Sequence, residues 1–179
     1  MEKSFEESHP EIADRTTFGH WKSDTVLSRK SSGEPVVFTI VKRLTSYYLS
    51  IRIERKAPAN VAAAIEQLKT QYGYNFSQIF RGITTDNGYK FAVFSTFETL
   101  GTKIYFVHHY SAWEQPVNER TNRILRKFIP KGRSIHNYTY EQIPMFVNEI
   151  NATPRKRLCY RTPEELFEKH LDRIYVING

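Results

Sequence analysis

Three carboxylates stand where they could hold metal ions. Asp86 follows an apolar run, Gln78-Ile79-Phe80-Arg81-Gly82-Ile83-Thr84-Thr85, and opens the stretch Asp86-Asn87-Gly88. Glu119 lies 33 positions further on (119 − 86 = 33), at the start of a basic segment. Asp24 lies upstream, in Gly19-His20-Trp21-Lys22-Ser23-Asp24-Thr25-Val26. Hard divalent cations such as Mg2+ take carboxylate oxygens and keep coordination sites for water and phosphate. Two such ions, about 3.5–4 Å apart, can clamp the attacking and leaving oxygens of an in-line phosphoryl displacement. That chemistry requires acids from separate elements to converge, and an aspartate leaving a central strand can do so. Taken singly the residues are bland. Asp-Asn-Gly is also an ordinary turn signal, and a lone carboxylate on a polar helix face is usually just solvated.

The elements that must position these acids can be read from periodicity. Gly19–Leu27 reads as a first strand, with Lys22 and Asp24 on one face by period-two alternation. Pro35–Val41 and Tyr47–Ile53 are two β-rich runs around the polar break Lys42-Arg43-Leu44-Thr45-Ser46, so the three strands form a meander. Pro58 suits the first turn of a helix. Val61, Ile65, Leu68 and Tyr72 recur at helical spacing, and Gly73 ends the pattern. Ile79–Thr85 is predicted as the fourth strand, entered from a helix and so parallel to the first. Phe91, Phe94, Phe97 and Leu100 predict a short helix closed by Gly101, and Lys103–Val107 a fifth strand. A third helix opens at Pro116, with Val117, Thr121, Ile124, Leu125 and Phe128 on its core face. At 100° per residue Glu119 lies opposite that face, and Asn122, Arg123 and Arg126 lie within about 60° of it. Thr139 with Gln142, and Thr162 with Glu165, predict two capping boxes; Ile143, Phe146, Val147 and Ile150 form the core face of the helix after the first. Three strands, helix, strand, helix, strand, helix is the order of an α/β ribonuclease H-like fold, a five-stranded mixed sheet flanked by helices.

Composition narrows the partner. The 179 residues, 40% of them hydrophobic, suffice for one domain with a sizeable core. A net charge of +7 fits a polyanionic partner, of which nucleic acid is the commonest, and equally a basic protein with none. The basic clusters Lys131/Arg133 and Arg155/Lys156/Arg157 flank one predicted helix, either as phosphate contacts or as a solvated rim. His108 and His109 have no second ligand pair at zinc spacing. Tyr110 and Trp113 either buttress a loop or stack on an unpaired base. One cysteine, Cys159, excludes an internal disulfide and fits a reducing cytoplasm. The N-terminus lacks the apolar region of a signal peptide. The expected division is a polar arm at 1–17, a core at 18–170 and a C-terminal tail at 171–179.

Several stretches carry a resemblance. Asp86-Asn87-Gly88 with Phe91, then Tyr110-Ser111-Ala112-Trp113-Glu114 and Val117-Asn118-Glu119-Arg120-Thr121-Asn122, resemble the DDE transposase/integrase catalytic core. Gly19-His20-Trp21, Pro130-Lys131-Gly132, Pro154-Arg155-Lys156 and Tyr160-Arg161-Thr162-Pro163 narrow the resemblance to bacterial transposases of the insertion sequence 30 family, over roughly residues 10–168. The resemblance implies DNA transposition or integration in the bacterial cytoplasm, on the nucleoid, by a homo-oligomer acting on double-stranded DNA. It implies Asp24, Asp86 and Glu119 as catalytic metal ligands for two Mg2+ or Mn2+ ions, Asp24 and Asp86 bridging them and Glu119 completing the second site. Water then cuts the element end, and the freed 3′-hydroxyl attacks a target phosphodiester, with no covalent protein–DNA intermediate. Asn118, Asn122, Arg123 and Arg126, with Lys131, Arg133, Arg155, Lys156 and Arg157, are the candidate DNA contacts. The resembled transposases carry a helix-turn-helix region before the core. This chain is therefore expected to be an isolated core.

The chain departs from the family pattern at three places. Lys22 stands where an acid is usual, Lys90 where a glutamate is usual, and Pro116 where a glycine is usual. Two charge reversals beside metal-ligand aspartates lower the local negative potential that draws a divalent ion. Two other readings therefore stay open. One is a weakened DNA-binding or oligomerisation remnant; the other is a ribonuclease H-like nuclease.

Overall fold

A computed structural model describes residues 18–27, 33–55, 58–85, 91–106 and 123–177. Five strands form one sheet: β1 (His20–Leu27), β2 (Val36–Lys42), β3 (Tyr48–Ile53), β4 (Gly82–Thr85) and β5 (Lys103–Phe106), in the order β3-β2-β1-β4-β5. β1 pairs antiparallel with β2, and β2 with β3; β4 pairs parallel with both β1 and β5. The meander and the parallel fourth strand follow the sequence expectation. Gly73 and Gly101, at φ of +57° and +89°, close α1 (Pro58–Tyr72) and α2 (Phe91–Thr99) in the left-handed conformation that glycine adopts without penalty.

β2 is buried along its whole length, and its side chains alternate between two cores. Val36, Phe38 and Ile40 join Trp21, Ile65, Leu68, Phe76, Phe80, Ile83, Phe94, Phe97 and Phe167 on one face. This face is covered by α1, α2 and the last helix, α5 (Pro163–Ile177). Val37 and Val41 face the other way, against Leu125 of the helical segment 123–128 (α3), Ile129, and Ile143, Val147 and Ile150 of α4 (Gln142–Asn151). The Asn151 side chain, at the end of α4, accepts from the Tyr48 N–H and donates to the Tyr48 carbonyl, both at 2.8 Å.

Both capping boxes form. The Thr139 N–H donates to Gln142 Oε1 at 2.8 Å, and the Gln142 N–H to Thr139 Oγ1 at 3.3 Å. The Thr162 N–H donates to Glu165 Oε2 at 3.0 Å, and the Glu165 N–H to Thr162 Oγ1 at 3.1 Å. Each pair gives backbone donors at a helix start the partners that the helix itself cannot supply.

Two sequence boundaries differ. The fourth strand was expected from Ile79, but β4 begins at Gly82, and Phe76–Ile79 is a single helical turn. An apolar run buried on all sides carries no periodicity that separates strand from helix. The expected tail boundary after residue 170 falls inside α5, whose Leu171 and Ile174 pack against the first core. The arm at 1–17 lies outside the described residues.

Candidate active site

β1 and β4 set the geometry of the candidate site. Their Cα partners are His20↔Gly82, Trp21↔Ile83 and Lys22↔Thr84. On its other side β1 pairs Lys22 with Val41 and Asp24 with Thr39. The register then slips, because Leu27 pairs with Val37, giving β1 one extra residue between Asp24 and Leu27. Bulges of this kind bend a strand locally and often accompany active sites. Asp86 follows Thr85, the last residue of β4, in the sequence. Asp86, Asn118, Glu119 and Asn122 lie outside the described residues, as do Lys90, His108, His109, Tyr110, Trp113 and Pro116.

α3 lies on the face of the sheet that bears Lys22. Paired residues of neighbouring strands share a face, so Lys22 shares one with Val41, which sits in the core cluster with Leu125 and Ile129. Ile124 and Phe128 pack against the same cluster, as the predicted helical face requires. Arg123 is exposed and Arg126 half-buried, so both stand away from the core side.

The two basic clusters occupy opposite ends of the sheet. Near Lys131 and Arg133, both exposed, Ser134 Oγ donates to Glu34 Oε2 at 2.7 Å, just before β2 begins. Arg52, near the end of β3, donates to the Tyr138 carbonyl at 2.6 Å. This is the end at which β1 finishes, because Leu27 pairs with Val37. At the other end Arg157 Nη2 donates to Ser46 Oγ in the turn between β2 and β3. Arg155 Nη2 donates to the Ile150 carbonyl at 3.2 Å, in the last turn of α4, where cationic side chains are favoured. The ten residues of α4 separate the clusters by about 15 Å at 1.5 Å per residue. Flanking one helix in sequence does not bring them to one site.

A buried cation escaped the sequence reading. Lys42, expected in a polar break, ends β2 with no exposed surface. Its Nζ donates to the Ile79 carbonyl at 3.0 Å and lies 3.6 Å from the Phe18 ring centroid and 4.5 Å from that of Trp21. Trp21 Nε1 donates to the same carbonyl at 2.8 Å. Burial, then the nearby Arg81 charge, holds the Lys42 pKa well below its usual value. The signal was present: position 42 continues the alternation of Val36, Phe38 and Ile40 onto the aromatic face. Among the described residues no group of three or more metal-ligating side chains occurs, and no helix is long and apolar enough to cross a membrane.

The sheet order, the mixed pairing and the flanking helices define a ribonuclease H-like fold of the integrase-core type. The catalytic core domain of BIV integrase superposes with a TM-score of 0.62 at 17% identity, over 89% of this chain and 99% of that one. Over about nine-tenths of its length the chain is homologous to transposases of the IS30 family. It is 36% identical over 166 residues to the "Probable transposase for insertion-like sequence element IS1161" of Streptococcus salivarius, covering 93% of this chain and 46% of that protein. It is 33% identical over 170 residues to the transposase for IS4351 of Bacteroides fragilis, covering 93% and 50%. With the transposase InsI for IS30A of Escherichia coli the identity is 30% over 159 residues, covering 88% and 40%. The chain thus spans about half the length, or less, of the curated relatives it matches. No protein-family model matches it.

Proposed function

We propose that this chain is the catalytic core of a DDE-type transposase, cutting and joining double-stranded DNA in the bacterial cytoplasm as a homo-oligomer on the nucleoid. One observation carries the reading. The β1–β4 register has a constant offset of 62 (82 − 20, 83 − 21 and 84 − 22), and Asp24 and Asp86 are separated by the same 62 positions (86 − 24). Both are two residues beyond the pair Lys22↔Thr84 in the sequence; a register continued to them would put them on one face by alternation. α3, which Glu119 precedes by four residues (123 − 119), packs on that face.

The three proposed ligands are all carboxylates, the donor type that suits Mg2+ or Mn2+. Two divalent ions bound there would supply Lewis-acid stabilisation of the attacking and leaving oxygens. Asp24, Asp86 and Glu119 would hold them. Arg123 and Arg126, with Asn118 and Asn122, would hold and orient the phosphodiester through charge-assisted hydrogen bonds. The relatives named as transposases support the reaction type.

Lys22 favours a second reading, a weakened core. It is half-buried beside the Asp24 position, between Val41 and Thr84. An ammonium there opposes divalent-ion binding, though at a partly exposed site only by about 1 kcal/mol or less.

A strand-transfer assay on double-stranded DNA with Mg2+ or Mn2+ tests both. Cleavage and joining are expected from the parent and lost in Asp24→Asn, Asp86→Asn and Glu119→Gln. Activity that survives all three changes overturns the proposal; cutting of RNA–DNA hybrids without DNA joining points to a nuclease instead. Lys22→Glu is expected to tighten metal binding in a calorimetric titration, and unchanged affinity removes the weakened reading.

A further inference from the structure

The end of the sheet at which β2 turns into β3 is itself built as a basic surface. Residues 152–161 carry four cations and no acid. Their backbone folds back on itself: the Arg155 N–H donates to the Arg161 carbonyl at 3.0 Å, and the Tyr160 N–H to the Arg155 carbonyl at 3.0 Å. Half-buried Arg155 donates to the Ile150 carbonyl, and Arg157, itself exposed, to Ser46 Oγ. Lys156, Tyr160 and Arg161 are exposed, Tyr160 by 72%.

Two further observations mark this end. Among the described residues, the non-glycine positions with positive φ are Ser46, Cys159 and Tyr160, at 59°, 54° and 62°. All three lie in this loop or in the turn that Arg157 holds. Conformations of this kind cost about 1–3 kcal/mol each and persist where surrounding contacts impose them, often at working sites. Charges of both signs lie nearby: burial, then Glu164 and Glu168, push the Tyr47 hydroxyl, beside Ser46, up to about 12. His170 is held below its usual pKa by burial and then by Arg173, Lys42 and Lys169. The acids Glu164 and Glu165 open α5 nearby, and Glu165 is occupied in the capping box.

We propose that the loop 155–161 is a second DNA-contact surface, in which Arg155 and Arg157 brace the backbone while Lys156 and Arg161 bind phosphates of duplex DNA. The proposal rests on the transposase reading for the identity of the polyanion. Lys42, where β2 reaches this surface, is three residue steps beyond Thr39, the partner of Asp24, about 10 Å at 3.3 Å per residue. DNA held here is duplex flanking the phosphodiester being cut.

The test is the salt dependence of binding to a blunt duplex of arbitrary sequence, without metal. Loss of two phosphate contacts in the double variant Lys156→Ala/Arg161→Ala should lower the magnitude of the slope of log K against log salt by about 1.8, at about 0.9 per contact. Arg155→Ala and Arg157→Ala should instead lower the unfolding temperature. A double-variant slope equal to the parent's overturns the inference, as does a parent that binds no duplex. Failure of the transposase reading shows separately, as duplex binding with no metal-dependent cleavage.

Discussion

The two faces of the sheet are built from different materials. On the face of Trp21 and Phe38, eight of the sixteen buried cluster residues are aromatic; on the face of Val37 and Val41, one of nine is, and the rest are aliphatic. The aromatic face is a continuous stack: Trp21 lies 4.9 Å from Phe80, Phe80 4.7 Å from Phe76, and Tyr47 4.0 Å from Phe167. Such pairs add about 0.5–1.5 kcal/mol each beyond their buried area. The aliphatic face relies more on polar ties, such as Asn151 to Tyr48 and Arg52 to the Tyr138 carbonyl. The proposed chemistry would use this second face, which bears Lys22 and α3.

The largest expected effect tests the aromatic side. Trp21→Ala removes a fully buried ring and the donor to the Ile79 carbonyl; it should cost about 3–5 kcal/mol in denaturant unfolding. A cost under about 1 kcal/mol would erase the distinction between the faces. On the aliphatic side, Asn151→Ala leaves the N–H and C=O of buried Tyr48 without their present partners. It should cost about 2–3 kcal/mol. Thermal unfolding of both variants ranks the two sides.

Lys42→Met sharpens the contrast. A buried charge is removed, while the Ile79 carbonyl keeps its bond from Trp21, so the variant should be about 1 kcal/mol more stable. The sign of the pH effect follows from linkage. The folded-state pKa of Lys42 is depressed by burial and then by Arg81, so the unfolded chain binds more protons there. Its contribution to stability therefore rises as pH climbs from the depressed value toward 10.5. Lys42→Met should flatten that rise; an unchanged slope would assign it to other groups. The smallest effect belongs to Cys159→Gly. Relief of its left-handed backbone at φ 54°, offset by the greater freedom of glycine when unfolded, should stabilise by about 0.5–1 kcal/mol.

Much of this fold was legible because its signals are local. The spacing of Ile65, Leu68 and Tyr72 gave α1, and Thr139/Gln142 and Thr162/Glu165 gave two helix starts that the hydrogen bonds reproduce. The start of β4 was not legible, because Phe76, Ile79, Phe80 and Ile83 are buried whatever their conformation. Lys42 was misread because a charge at the end of an apolar run looks like a turn, although its parity places it inward. The ends to which the two basic clusters belong depend on the contacts of Arg157 with Ser46 and of Ser134 with Glu34, 111 and 100 positions apart, which no local pattern encodes. For the site itself, the sequence named candidate acids; the β1–β4 pairing runs to Lys22↔Thr84, two residues short of Asp24 and Asp86.

The Asn151 amide has a consequence beyond its two hydrogen bonds. Among the described residues β3 is the outermost strand on its side of the sheet, and the edge of a sheet is a template on which a foreign strand could add. By offering an acceptor and a donor to Tyr48, the side chain imitates one rung of a sixth strand. A strand from another copy would have to displace that rung before pairing at this position. One asparagine at the end of a helix thus fixes α4 against the sheet and guards the first step of β3 against sheet-to-sheet growth.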